Sequence, residues 1–184
     1  MTDQPTVRPA EPSDAPGVRA VARDSWHAAY DDLFGAERVE GTIDDWYAIP
    51  DLETAIEESV FHIAESSDND TETIGADTDD TDADTPLVGF ANAGPNPGYD
   101  AGTNELYRIY VHPDHWGAGI GSRLLDAVET DLRAGGADHL RVSVLAENAV
   151  GVGFYESHGF ERVATGTVEL GGETFADYDY LKQL

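Results

Sequence analysis

A glycine-rich segment at residues 112–122 has the composition of an anion-binding site. It reads His-Pro-Asp-His-Trp-Gly-Ala-Gly-Ile-Gly-Ser and lies between a β-branched, aromatic run and an amphipathic stretch. Gly117, Gly119 and Gly121 have no Cβ to hold a phosphate away from the backbone, and the first N–H groups of a following helix would point at it. The spacing matches neither a Walker loop nor the G-x-G-x-x-G of dinucleotide folds. The glycines alone leave open a tight strand-to-helix turn without a ligand.

Two further segments accompany this loop. The residues before it read Tyr-Arg-Ile-Tyr-Val-His-Pro, and about 30 residues later come Glu147-Asn148 and then Gly-Phe-Tyr-Glu-Ser-His-Gly-Phe at 153–160. This combination resembles the GNAT family of N-acetyltransferases. In that family a Val-His-Pro-like strand end leads into R/Q-x-x-G-x-G/A, and an Asn precedes a Phe-Tyr-x-x-x-Gly-Phe helix end. The resemblance is strong from about Glu105 to Phe160 and is consistent in order over most of the chain.

The resemblance implies acetyl-CoA as the acetyl donor. The pantetheine arm would pair with the main chain of Ile109, Tyr110 and Val111, and Asn148 matches the position that usually contacts this arm. The arginine or glutamine of the family pattern falls on Trp116, so a polar partner of the phosphates is lost. The pyrophosphate would contact the backbone amides of Gly117, Ala118, Gly119, Ile120, Gly121 and Ser122.

Two residues are candidates for proton transfer. The resemblance assigns the general acid to Tyr155, whose phenol could protonate the departing sulfur, although a core aromatic is the alternative. An amine must lose its proton before it attacks, and Glu105 is the candidate base, acting directly or through a water. Some peptide N-terminal acetyltransferases use a glutamate five residues before the Asn, but this chain has Ser143 there.

The sequence gives fewer indications of the residues that contact the acceptor. In this family the first helices wall the acceptor site, so Trp26 and Tyr30 are candidate substrate contacts, with core packing as the alternative. His112 and His115 have the spacing of metal ligands, but no third ligand is evident, so we predict no metal site. The expected acceptor is an amine, either a small molecule or a protein, and a homodimer is a further expectation from the family.

The elements that must position these residues follow from the hydrophobic pattern. An amphipathic helix is expected over 119–134, strands over 105–111 and 139–145, a helical region interrupted at Pro50, and a hairpin at 160–181. The mixture predicts an α/β or α+β protein with a mixed sheet. The family resemblance implies a central, mostly antiparallel sheet flanked by helices. The length of 184 residues predicts a single domain over 1–184.

Composition excludes several classes of function. Ten Lys plus Arg against 37 Asp plus Glu give a net charge of −27, which opposes binding to nucleic acid or to an anionic membrane. No cysteine is present, and no apolar run reaches membrane-spanning length, so a cytoplasmic protein is expected. The segment 65–85 is acidic and poor in apolar residues, which predicts a mobile loop between paired strands.

Two functions remain after these exclusions. The first is an acetyl-CoA-dependent N-acetyltransferase that works by direct attack in a ternary complex, since no cysteine can carry the acetyl group. The second is a non-catalytic acyl-CoA-binding module that has kept the phosphate cradle.

The acid-rich, lysine-poor composition is typical of proteins from salt-accumulating halophiles. Salt shortens the Debye length from ~10 Å at 0.1 M to ~3 Å at 1 M, which suppresses repulsion among the carboxylates. We therefore expect the melting temperature to rise steeply with KCl up to molar concentrations. A melting temperature that is flat over this range would contradict the halophilic interpretation.

Overall fold

The structure is a computed structural model that describes residues 5–66, 86–170 and 172–184. The predicted acidic loop at 65–85 lies outside these ranges except for Glu65 and Ser66. In the described ranges the helices are α1 (Ala15–Phe34), α2 (Ala36–Trp46), α3 (Ile49–Glu58), α4 (Ile120–Ala134) and α5 (Ala149–Ser157). The strands are β1 (Thr6–Pro9), β2 (Val60–Glu65), β3 (Leu87–Pro95), β4 (Thr103–Val111), β5 (His139–Leu145), β6 (Glu161–Leu170) and β7 (Glu173–Gln183).

One corrected expectation concerns the helices that precede β2. The sequence predicts a helical region interrupted at Pro50, but α2 begins earlier, at Ala36, and Pro50 lies in the first turn of α3. Proline is well tolerated there because the N–H groups of a first helical turn have no partner within the helix. Pro50 therefore starts a helix instead of interrupting one.

The strands form one mixed sheet in the order β1-β2-β3-β4-β5-β7-β6. Neighbouring strands are antiparallel, apart from the parallel pair β4 and β5. This arrangement confirms the expected mixed, mostly antiparallel sheet flanked by helices. The two strands on either side of the acidic segment, β2 and β3, pair with each other.

Each face of the sheet carries its own apolar core. Helix α4 buries one face of its amphipathic surface, including Leu124 and Val128, against the sheet and α5. The opposite sheet face packs against α1, α2 and α3, with Val18 and Ile43 among the fully buried residues. Alternation along β2 shows the division, since Ile63 belongs to the second core and Ala64 to the first.

A β-bulge in β4 changes which side chains face each core. Asn92 is opposite Arg108 and Ala93 is opposite Leu106, so Tyr107 is the extra residue on β4. A bulge reverses the alternation of side chains along its strand. As a result Leu106 and Ile109 both face the α4 core.

The pairing of β4 with β5 is short. It covers three residue pairs and ends at Glu105 opposite Arg141. Beyond that point β4 stays paired with β3 as far as Val111, and β5 stays paired with β7 as far as Leu145. The two strands therefore diverge, and we call the space between residues 106–111 and 142–145 the β4–β5 gap.

Most of the few cations form ion pairs with carboxylates. Of the ten Lys and Arg residues in the sequence, the unpaired ones are Arg108, Arg123 and Arg162, within the ranges that the structure covers. The paired cations are Arg8, Arg19, Arg23, Arg38, Arg133, Arg141 and Lys182.

The single lysine of the chain joins β7 to α4. Lys182 donates to the buried carboxylate of Glu129 at 2.5 Å, and Arg133 donates to the other oxygen of Glu129 at 2.8 Å. The Lys182 side chain is 19% exposed and that of Glu129 is 3% exposed. A buried carboxylate needs such partners, because leaving it unpaired would be strongly destabilising.

Candidate active site

A cavity opens from the β4–β5 gap. We call it the large cavity; it has a volume of about 780 Å³, and its walls come from β4, β5, α1, α4, α5 and the glycine-rich loop. Residues 106–111 of β4 and 142–145 of β5 all line it. The predicted pantetheine contacts Ile109, Tyr110 and Val111 are therefore brought to this cavity.

The glycine loop closes one end of the large cavity. Gly117 and Gly119 have φ angles of 78° and 76°, a backbone conformation that glycine adopts at little cost. A Cβ atom at either position would meet nothing within 4 Å, so the backbone is open on that side. Gly121 is glycine for another reason, because a Cβ there would lie 3.2 Å from the Phe154 ring.

The N-terminus of α4 supplies free donors at this loop. Its N-cap is Gly119, which has no side chain to accept a hydrogen bond from the first turn. The N–H groups of Ile120, Gly121 and Ser122 therefore have no partner within the helix. Five of the six predicted loop residues line the large cavity; the exception is Ala118, whose N–H donates weakly to the His115 carbonyl at 3.4 Å.

Trp116, which stands at the arginine or glutamine position of the family pattern, fixes the loop by a hydrogen bond. Its indole N–H donates to the carbonyl of Val111 at 2.7 Å, while about half of its surface remains exposed. The hydroxyl of Ser25 on α1 donates to the same carbonyl at 3.0 Å. These two bonds hold the end of β4 against both the loop and α1.

Ser122 has a partner that the sequence analysis missed. Its hydroxyl lies 2.8 Å from Nε2 of His158, and Nδ1 of the same ring lies 2.7 Å from the Phe154 carbonyl. When His158 is neutral, its Nδ1–H donates to that carbonyl and its Nε2 accepts from Ser122. No sequence signal marks this pair, because the two residues are far apart in the chain.

Tyr155 lies at the wall of the large cavity and is only 8% exposed. Its ring packs against Phe154, Phe160 and Tyr180. Burial, and secondarily the nearby Tyr30 hydroxyl, raises the pKa of Tyr155 well above its usual range. Within the described residues its hydroxyl forms no hydrogen bond, so Tyr155 presents a protonated, uncommitted phenol.

Asn148 has a structural role at the edge of the same cavity. Its side-chain oxygen accepts from the N–H of Gly151 at 2.9 Å and so caps α5, and its amide donates to the Tyr30 hydroxyl at 3.0 Å. Tyr30 and Trp26, both predicted acceptor contacts, line the large cavity and lie on α1. Asn148 therefore ties α5 to α1 across the cavity.

Glu105 does not line the large cavity, whereas Tyr155 does. Its carboxylate accepts from the Asn96 amide at 2.5 Å, next to the last paired residues of β4 and β5. The carboxylates that do line this cavity are Glu147 and Asp177. One Asp177 oxygen is buried without a hydrogen-bond partner among the described residues.

A smaller cavity of about 300 Å³, which we call the small cavity, adjoins the large one. The two share Trp26, Trp46 and Leu170 in their walls. Trp26 and Trp46 meet edge to face with ring centroids 5.7 Å apart. Phe34 extends this aromatic wall, whereas Arg38, Asp45 and Glu169 supply its charged groups.

His112, in the loop before α4, has carboxylate and backbone partners. Nε2 of His112 lies 3.3 Å from the Asp24 carboxylate, and its Nδ1 accepts from the N–H of Asp114 at 3.3 Å. Across the described part of the chain no three His, Asp or Glu side chains are grouped as metal ligands. Among the described helices, none combines the length and hydropathy that a membrane span requires.

Comparison with known proteins identifies the family. A sequence model of the acetyltransferase (GNAT) family matches residues 26–160. The chain belongs to the GNAT family. It is 32% identical over 83 residues, 45% of its length, to proteins named acetyltransferase from Yersinia pestis and Yersinia pseudotuberculosis. The chain spans 57% of the length of these curated relatives.

Solved structures share the GNAT fold over nearly the whole chain. The PaiA N-acetyltransferase of Thermoplasma acidophilum, in complex with coenzyme A, has a TM-score of 0.76 at 24% identity, covering 99% of this chain and 100% of that one. YncA of Salmonella typhimurium, a putative acetyltransferase with its cofactor acetyl-CoA, has a TM-score of 0.64 at 20% identity, with 98% and 94% covered. The ribosomal-protein-S18-alanine N-acetyltransferase of Escherichia coli has a TM-score of 0.65 at 17% identity, with 98% and 94% covered.

The dual role of Asn148 predicts a loss of stability on truncation. Asn148→Ala removes the α5 cap, which costs about 1 kcal/mol, or a fall in melting temperature of roughly 2–4 °C. Asn148→Asp keeps an acceptor for the Gly151 N–H and should lose less. Thermal melts of the three proteins in the same buffer check this, and equal losses in both variants would contradict the capping role.

Proposed function

We propose that this GNAT protein is an acetyl-CoA-dependent N-acetyltransferase that transfers the acetyl group to an amine by direct attack in a ternary complex. The observation that carries the proposal is the β4–β5 gap, which joins the glycine loop at one end to the aromatic small cavity at the other. The structures of PaiA with coenzyme A and of YncA with acetyl-CoA support a CoA donor on this fold.

The described residues fit coenzyme A by their chemistry. The N–H groups of Ile120, Gly121 and Ser122, at the positive end of the α4 dipole, suit the pyrophosphate. Beyond Glu105, β4 has no strand partner on the β5 side, so the main-chain groups of Ile109 and the N–H of Val111 suit the amides of the pantetheine arm. The Val111 carbonyl is already bonded to Trp116 and Ser25. When bound, the donor supplies a thioester whose acetyl carbon accepts the amine.

The proposed step balances its protons between two side chains. The amine nitrogen forms a bond to the acetyl carbon, the carbon–sulfur bond breaks, and Tyr155 delivers its phenolic proton to the departing sulfur. The amine proton passes to a carboxylate. Glu105 would act through water because it does not line the cavity, whereas Asp177 lines it directly and is the second candidate.

The acceptor amine would approach through the small cavity. Trp26 forms part of both cavities, and Tyr30 lies beside it on α1 with ring centroids 4.8 Å apart. These aromatic faces would hold the acceptor while its nitrogen reaches the β4–β5 gap. The family resemblance leaves a small-molecule or a protein acceptor, and we propose a small molecule because the small cavity holds only about 300 Å³.

The proposal also covers domain organisation and cellular setting. The continuous sheet, which runs from β1 at one edge to β6 at the other, supports a single domain over residues 1–184. The net charge of −27 supports a halophilic protein of a salt-rich cytoplasm that does not bind nucleic acid. The homodimer stays a prediction.

Binding of the donor can be measured without knowing the acceptor. Acetyl-CoA at about 100 times its dissociation constant adds about 2.7 kcal/mol of stability. For a domain of this size the melting temperature should then rise by roughly 5–11 °C in molar KCl. Desulfo-CoA should give a similar shift, and no shift with either compound would overturn the donor site.

Replacement of the phenol separates an enzyme from a non-catalytic acyl-CoA-binding module. Tyr155→Phe should lower kcat roughly 10²–10⁴-fold because the sulfur then departs without a proton donor, while the affinity for acetyl-CoA barely changes. Tyr178→Phe, at a tyrosine outside the cavity lining, is the matched control. If Tyr155→Phe leaves amine-dependent CoA release intact, Tyr155 is not the acid; if the wild type acetylates no amine, the binding-module alternative holds.

A further inference from the structure

One cation at the junction of the two cavities has no carboxylate partner. Two of the ten Lys and Arg residues contribute to the cavity walls, Arg38 and Arg108. Arg38 pairs with Glu173 at 2.5 Å. Within the described ranges, Arg108 has no carboxylate within ion-pair distance.

The guanidinium of Arg108 is held in place by contacts that occupy only some of its N–H donors. Its Nη2 donates to the Trp46 carbonyl at 3.2 Å, and its Cζ lies 5.1 Å from the centre of the Tyr47 ring. The Tyr47 hydroxyl is its other polar neighbour. A guanidinium has five N–H donors, so these contacts leave donors free toward the large cavity.

An uncommitted arginine is informative in this particular chain. The sequence has 37 Asp and Glu against 10 Lys and Arg, and seven of those ten cations pair with a carboxylate. Of the three cations without a carboxylate partner among the described residues, only Arg108 contributes to the wall of either cavity. The β4 bulge directs Arg108 toward Trp46 and Tyr47, at the acceptor side of the sheet.

We propose that Arg108 binds the carboxylate of the acceptor, and that the acceptor is therefore an α-amino acid with an apolar or aromatic side chain. Guanidinium and carboxylate groups match as a bidentate pair. The aromatic wall of Trp26, Trp46 and Phe34 in the small cavity suits the side chain. Asp177 and Glu147, which also line the large cavity, are the carboxylates available to the ammonium group.

This inference rests on the proposed acetyltransferase function. The negative field of the protein opposes an anionic acceptor at long range, but molar salt shortens the Debye length to ~3 Å and leaves the contact pair as the dominant interaction. The competing interpretation is structural. Arg108 reaches the carbonyl of Trp46, the last residue of α2, so it could serve only to fix that helix end to the sheet.

The experiment compares two acceptors that differ only in the carboxylate. Phenylalanine and phenylalaninamide are assayed with acetyl-CoA in molar KCl against the wild type, Arg108→Gln and Arg108→Lys. Arg108→Gln should lower kcat/KM roughly 10- to 100-fold for phenylalanine, the cost of losing a charged hydrogen-bond pair, and less than about threefold for the amide. Taking each variant-to-wild-type ratio on the same acceptor removes the difference in amine basicity.

A matched arginine controls for charge. Arg162 lies outside both cavities, with its Cζ 4.4 Å from the centre of the Tyr178 ring. Arg162→Gln removes the same charge as Arg108→Gln and should leave kcat/KM unchanged for both acceptors. Arg108→Lys keeps the charge but not the bidentate geometry. Its kcat/KM for phenylalanine should lie between those of the wild type and Arg108→Gln, and its kcat/KM for the amide should stay close to that of the wild type. Phenylpropionate should inhibit the wild type competitively, and phenylpropionamide should inhibit it far less.

The alternative results are distinguishable. Equal losses for both acceptors would assign Arg108 to fixing α2 and overturn the proposal. Acetylation of the amide and of simple amines, with no inhibition by phenylpropionate, would overturn the acceptor class while leaving the acetyltransferase function standing. If acetyl-CoA binds but no amine releases CoA, the proposed function itself fails. Inhibition by phenylpropionate is measured on the wild type, so it tests the acceptor class even if Arg108→Gln does not fold, and Arg108→Lys then tests the role of Arg108.

Discussion

The site depends on the early end of the pairing between β4 and β5. Three residue pairs hold the two strands together, and each strand then follows its other neighbour, β4 with β3 and β5 with β7. Because the outer pairings are antiparallel and extensive, the gap is fixed by the sheet itself. As a result, a stretch of β4 has main-chain groups with no strand partner on one side. A ligand with amide groups would satisfy them, apart from the Val111 carbonyl, which accepts from Trp116 and Ser25.

The surplus of acidic groups shapes how this fold can bind an anion. Side-chain cations are few, and most of them are paired with carboxylates, so the proposed phosphate site would rely on backbone N–H groups at the start of α4. Trp116 also acts without a charge, because it fixes the loop by donating from its indole N–H to the Val111 carbonyl. Backbone donors keep their polarity at any pH and any salt concentration, which suits a protein with a net charge of −27.

Local patterns predicted much of this structure, and contacts between distant residues account for what they missed. The glycine loop, α4, β5 and the mixed sheet follow from periodicity, glycine placement and the family motif, all of which act over short spans of chain. The placement of Glu105 did not follow, because its side chain is engaged by Asn96 at the closed end of the gap. The Ser122–His158 bond and the lining by Asp177 depend on how α4, α5 and β7 meet, which no spacing in the sequence records.

The ion pair between Lys182 and Glu129 has a chemical consequence of its own. Thioesters acylate exposed lysines on ordinary proteins without any enzyme, and an enzyme that holds such a donor is exposed to it continually. In this chain the only lysine side chain donates to the buried carboxylate of Glu129 and lies on the α4 side of the sheet. A thioester bound at the proposed site would thus meet a single side-chain amine in this chain, and that amine is engaged with a carboxylate.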